Sequence, residues 1–117
     1  MATDASTLYK LIILYMLDRV NSPMTNAQIS EFVLEKGYTT YFTLQEVLNT
    51  LISDGFITEE SYHSSTHYTI TDSGRETINF FKYKISSSIV SDINLFLSDN
   101  KYELKEAVNN ISEYYKA

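Results

Sequence analysis

The hydrophobic positions of this chain change period more than once, and the changes mark out its elements. Over residues 8–20 apolar side chains run almost all the way round a helical wheel, with Leu11 and Tyr15 on one side and Ile13, Met16 and Val20 on another. A helix of that kind is covered on more than one face. One of the covers it suggests is a second subunit. The Asn21-Ser22-Pro23 run ends the helix. Thr25-Asn26-Ala27-Gln28 then has the form of a capping box, with Met24 placed to staple onto Ile29. The second helix it starts buries Ile29, Phe32 and Val33 and reaches a left-handed C-cap at Gly37. A third helix is predicted over about residues 40–54, because Leu44, Val47, Leu48, Leu51 and Ile52 recur at helical spacing and Gly55 closes the run. Its outward face is Thr43, Gln45, Glu46, Asn49 and Thr50. Thr40 is the N-cap that sets a full turn ahead of Leu44, and Thr43 with Glu46 forms a competing capping box three residues later.

After Gly55 the period shifts toward two. Residues 56–62 and 67–71 are rich in aromatic and β-branched side chains, and the polar His63-Ser64-Ser65-Thr66 segment joins them, which predicts a hairpin. Thr71 caps a fourth helix with Asp72 at the positive end of its dipole, and Ile78, Phe81 and Ile85 supply its stripe. Two further helices follow. One carries Ile89, Val90, Ile93, Phe96 and Leu97 on a face; the other carries Leu104, Ala107, Val108, Ile111 and Tyr115, with Asn100 and Glu103 as its cap. The expected fold is mainly α with a small β-hairpin (α+β), a winged helix-turn-helix with additional C-terminal helices. The winged domain is expected over residues 1–85. The helical extension over residues 86–117 exceeds what such a core requires and is read as a dimerisation element. Tyr9, Ile13 and Met16 on the first helix, Ile89, Ile93 and Phe96 on the fifth, and Val108, Ile111 and Tyr115 on the sixth are the residues expected to join two copies.

Composition narrows the classes of function. At 117 residues, with 44% hydrophobic and 21% charged, the chain makes one globular domain rather than two or none. The absence of Cys excludes a disulfide scaffold, a thiolate metal site and thiol catalysis, and fits a reducing cytoplasm. The apolar run at residues 11–17 is about a third of the length that spans a bilayer, and no secretory pattern opens the chain, so no membrane partner is expected. A net charge of −6 sets a field that repels phosphate, so any contact with DNA must be local. Ten Tyr and six Phe are more than one core needs, which implies that some line a partner surface.

Catalysis finds no constellation. Both His sit in the predicted wing, leaving no base and orienting group for any Ser, and all three Gly are already used at element joints rather than in a phosphate loop. No cofactor is expected. His63 and His67 are four apart but flank a turn, with no third ligand unless Glu59 or Glu60 curls toward them, so a zinc site is not expected. Arg75, Lys82 and Lys84 form the only locally basic segment and are read as solvating the fourth helix. Tyr114 and Tyr115, at helical spacing beside Ile111, read as packing rather than as a base-stacking platform.

The segment LISDGFI at residues 51–57 and the ITDSG that follows the hairpin resemble the winged-helix regulators of the MarR and PadR type. More closely, PMTNAQISEFVLEKGY, YFTLQEVLNTLI and YTITDSGRETINFF, within residues 8–81, resemble an uncharacterised bacterial winged-helix family, DUF4364. The resemblance is strongest over the first two thirds of the chain. It implies a winged-helix fold and DNA binding, and because members continue into a further C-terminal region, it also implies a short or trimmed form here.

If the third helix reads DNA, it does so without cations. Gln45 or Asn49 can form a bidentate pair with adenine, and Thr43 can meet a thymine methyl or a base acceptor. Hydroxyls and helix-start N–H groups near Thr39, Thr40 and Tyr41 can hold phosphate, with Lys36 as the nearby charge and the wing histidines His63 and His67 reaching a minor groove. The expected partners are therefore double-stranded DNA and a second copy of the chain. The alternatives are that Thr43, Gln45 and Asn49 are a solvated face and that the fold serves as a protein-interaction module.

Overall fold

The computed structural model describes residues 4–20 and 22–100. Helix α1 (Ala5–Arg19) begins three residues earlier than its apolar run, because Asp4 accepts the Thr7 N–H at 2.8 Å as N-cap. Thr25 and Gln28 do form a reciprocal capping box for α2 (Asn26–Glu35). Thr40 caps α3 (Tyr41–Ser53), as its spacing from Leu44 requires. The α2 and α3 C-termini end identically. Gly37 (φ 71°) donates to Leu34 while Tyr38 donates to Val33, and Gly55 (φ 82°) donates to Ile52 while Phe56 donates to Leu51. This paired 5→2 and 6→1 pattern needs a left-handed residue, which glycine adopts without steric cost.

The hairpin is β2 (Ile57–Tyr62) with β3 (Ser65–Ile70), antiparallel in the register Ile57 to Ile70 and Tyr62 to Ser65. The turn is shorter than the four residues expected. His63 (φ 53°) and Ser64 (φ 63°) alone make it, in the left-handed geometry that matches the twist of paired strands. A third strand, β1 (Met24–Thr25), pairs with Tyr68 and His67 and gives the sheet order β1-β3-β2. Helix α4 (Asp72–Phe81) stops before the end of its expected stripe. Residues 82–84 tighten into a 3-10 turn, and Ile85 reaches the core from extended backbone. Helix α5 (Ser87–Asp99) is capped by Ser86, and Asn100, expected to open a sixth helix, is instead its C-cap.

One core holds these elements together, and α1 is its axis. Leu11, Ile12, Ile13, Leu14, Met16 and Leu17 are all buried, and α1 packs against α3, α4, β3 and the 3-10 turn. The second cover expected from another subunit is thus supplied by the chain itself. Ile13 and Met16, with Ile93 and Phe96 of α5, lie in this core and have no surface left for a second copy, which corrects their assignment to a dimer contact. Tyr9 and Ile89 remain half-buried at its edge, while Val108, Ile111, Tyr115 and the other calls beyond residue 100 lie outside the described residues.

The expected domain boundary at 85/86 falls between the 3-10 turn and α5. Across it, α5 sends Ile93, Phe96 and Leu97 into the shared core. Phe32 is the hub of that contact, with its ring 5.1 Å from Phe96 and 5.6 Å from Tyr38. Arg75, read as a solvating cation, instead ties α4 to α1 through Asp18 at 3.4 Å. Among the described residues no helix is long and apolar enough to cross a membrane.

Candidate nucleic-acid interface

Helix α3 is pinned by Leu44, Val47, Leu48 and Leu51, all buried, so the opposite face is fixed in orientation. That face is the stripe Phe42, Glu46, Asn49 and Ser53, every member exposed. Tyr41 beside it is 56% exposed and Phe42 is 72% exposed, which is unusual for side chains of that size. Sequence reasoning missed Phe42 as a surface residue. The signal was present, since position 42 lies off the 44-47-48-51 stripe.

Seven of the residues singled out from the sequence fall into three groups, with Gln45 and Lys36 apart from them. Asn49 and Tyr41 stand on the exposed face. Thr40 and Thr43 are joined to each other, since Thr43 N–H donates to Thr40 Oγ1 at 3.2 Å and the Thr40 hydroxyl donates to Thr43 Oγ1 at 3.1 Å; Thr39 is half-buried ahead of them. His63 sits at the far tip of the hairpin and His67 midway along β3, opposite Glu60 on one side and Thr25 on the other. The two histidines are therefore at different heights of the wing.

Gln45 is not available in the form its sequence position suggested. Asn26 Nδ2 donates to Gln45 Oε1 at 2.7 Å while Gln45 Nε2 donates back to Asn26 Oδ1 at 3.3 Å, so the two carboxamides are paired edge to edge. The carboxamide edge that would recognise adenine is the one in use. Asn26 itself is saturated, because Nδ2 also donates to the Tyr68 hydroxyl at 3.1 Å and Oδ1 also accepts from Ser30 at 3.1 Å. A half-buried polar network with each group matched is rigid. It joins the start of α2, the middle of α3 and strand β3. Burial raises the Tyr68 hydroxyl pKa, partly offset by the Asn26 hydrogen bond.

A second tie holds the turn before α3. Tyr38 donates to Asp92 Oδ2 of α5 at 2.8 Å, and Lys36 Nζ stands 4.0 Å from Asp92 Oδ1. Burial first, then the hydrogen bond to the carboxylate and its charge, push the Tyr38 hydroxyl up to about 12. A raised pKa favours the neutral phenol in the folded chain, so its stabilisation is complete below pH ~10 and is lost as pH climbs from there through about 12. The stability difference between the native chain and Tyr38→Phe should accordingly be constant at neutral pH and narrow above pH ~10 in urea titrations. A difference independent of pH across that window would show the bond to be energetically idle.

The segment that carries this face is acidic. Between Asn26 and Thr71, Lys36 is the single Lys or Arg, against the carboxylates of Glu31, Glu35, Glu46, Asp54, Glu59 and Glu60. Among the described residues no three His, Asp or Glu side chains converge as a metal site would require.

The sequence model of a protein family described as "Domain of unknown function (DUF4364)" matches residues 9–117. No curated protein matches the chain.

Proposed function

This chain belongs to the DUF4364 family, and from that premise and the geometry of α3 we propose that it is a DNA-binding transcriptional regulator of winged-helix type and not a catalyst. The observation that carries the reading is the uncovered stripe Phe42-Glu46-Asn49, held rigidly beside a two-stranded flap. In such a fold the third helix enters the major groove and the hairpin follows the backbone. Asn49 has the geometry to pair with adenine, Phe42 with a thymine methyl, and Glu46 accepts from a cytosine amino group. First-turn N–H groups of α3 and the nearby hydroxyls hold phosphate in place of cations.

With Lys36 alone per head, a single copy binds weakly, so two copies act together on half-sites about 34–36 Å apart. Their pairing uses surface other than Ile13, Met16, Ile93 and Phe96. Selection of bound fragments from genomic DNA should enrich a sequence with two half-sites. Binding to it should fall with salt at a slope of only about 1 per head, and Asn49→Ala should weaken it by about 5- to 150-fold. No enriched fragment at any salt concentration would remove the proposal.

A second reading has its own support. Six carboxylates against one lysine, with Tyr41 and Phe42 exposed, suit a basic protein partner as well as they resist DNA. In that case the selection returns nothing, and a captured protein is lost on Phe42→Ala.

A further inference from the structure

Away from the α3 face, a groove of about 340 Å³ opens between α1, the end of α3 and α4. Leu11, Leu14 and Leu51 form its floor as almost fully buried core residues, and the apolar surface it offers a ligand comes from the partly exposed Phe56 and Phe81. The volume is in the range of small-ligand sites, roughly 300–1,000 Å³, and corresponds to on the order of eleven waters. Lys10 and Lys84 also line it, and no carboxylate does. That is against the trend of a chain with 15 acidic and 9 basic residues. Neither lysine is within ion-pair distance of a carboxylate among the described residues; Lys10 feels the Asp4 carboxylate at longer range, and Lys84 has only its ring contact. The Lys84 ammonium lies 5.5 Å from the Phe81 ring centre, a contact that keeps it over the groove wall.

We propose that this groove binds a small organic monocarboxylate, its apolar body against the partly exposed rings of Phe56 and Phe81 and its carboxylate between the Lys10 and Lys84 ammonium groups. The charge pattern selects this occupant. An uncharged apolar molecule would leave the Lys84 ammonium without a counter-charge, and a cation would be repelled by both lysines. Ion pairing at the mouth of an apolar groove is stronger than on open surface because one side is shielded from water. The site shares no residue with the outward face of α3, so its fate is independent of DNA binding.

The test uses the full chain with 1-anilinonaphthalene-8-sulfonate as a fluorescent probe and octanoate and octanol as competitors. Probe binding should saturate at one site per chain, octanoate should displace it at concentrations at least tenfold below octanol, and Lys10→Gln with Lys84→Gln should weaken octanoate about tenfold or more. Both lysines are peripheral, and an unchanged thermal midpoint would confirm that the double variant is folded. Equal potency of octanoate and octanol, undiminished octanoate binding in the double lysine variant, or no saturable probe site would each overturn the proposal. The last outcome includes the case in which another part of the chain already fills the groove.

Discussion

Phe32→Ala should lower the free energy of unfolding by about 3–5 kcal/mol, the range for removing a fully buried aromatic ring. Phe32 is 0% exposed and meets both Phe96 and Tyr38. Its loss leaves a void between α2 and α5 that backbone held by the Tyr38–Asp92 hydrogen bond cannot easily close. Since whole domains are stable by only about 5–15 kcal/mol, this change consumes a large share. Urea unfolding measures it directly, and hydrogen exchange should show α5 amides losing protection along with those of α2. A cost under about 1.5 kcal/mol, or exchange confined to α2, would mean that α5 is not part of the same cooperative unit.

Gly74→Ala should cost about 2–4 kcal/mol, against the helix preference that normally favours alanine by about 1 kcal/mol. Gly74 lies in the first turn of α4 and is buried. An added Cβ would sit inside contact distance of the Phe56 carbonyl oxygen and 2.9 Å from Ile70 Cγ1. Neither neighbour can retreat cheaply. The Phe56 carbonyl accepts the Thr71 N–H at 3.0 Å, and the Thr71 hydroxyl, which caps α4, donates to the Gly55 carbonyl at 2.7 Å. The overlap is with backbone fixed from both sides, so the steric term outweighs propensity. Gly37 offers the contrast: its Cβ would meet nothing within 4 Å, and only the left-handed backbone makes substitution costly, by about 1 kcal/mol. Thermal melts of the two variants should therefore separate clearly, with Gly74→Ala the less stable.

The helices were legible because their signals are local. Thr25 with Gln28, Thr40 ahead of Leu44, and Thr71 ahead of Gly74 each name a helix start within four residues, and the observed caps sit there. What escaped depends on partners distant in sequence. Strand β1 has only two residues, and Met24 and Thr25 become a strand solely because Tyr68 and His67 lie beside them. The two-residue turn at His63-Ser64 contains none of the Gly, Asn or Asp that announce such geometry, so a longer connection was the natural expectation. For α1, an all-round apolar wheel states that covers exist but not whose they are; α3, α4 and β3 of the same chain supply them.

The candidate interface divides along the same line. The inward stripe of α3 follows from period alone, and with it the exposure of Asn49 and Phe42. The pairing of Gln45 with Asn26, 19 residues away, has no periodic signature, and Asn26 read simply as the first residue of a helix. The charge poverty of the third helix was visible in sequence, whereas the employment of Lys36 beside Asp92 required the placement of α5.

The two residues of β1 lie directly before Asn26, so three successive positions hold the middle of β3 and, through Gln45, helix α3. Helix and flap therefore form a single stiff bracket whose opening angle is set when the chain folds. On this frame a DNA-binding regulator of the kind proposed would have little freedom to switch by bending its own head. On and off states of such a molecule would differ in how whole heads are spaced or masked, and a comparison of free and DNA-bound heads should superpose without a hinge.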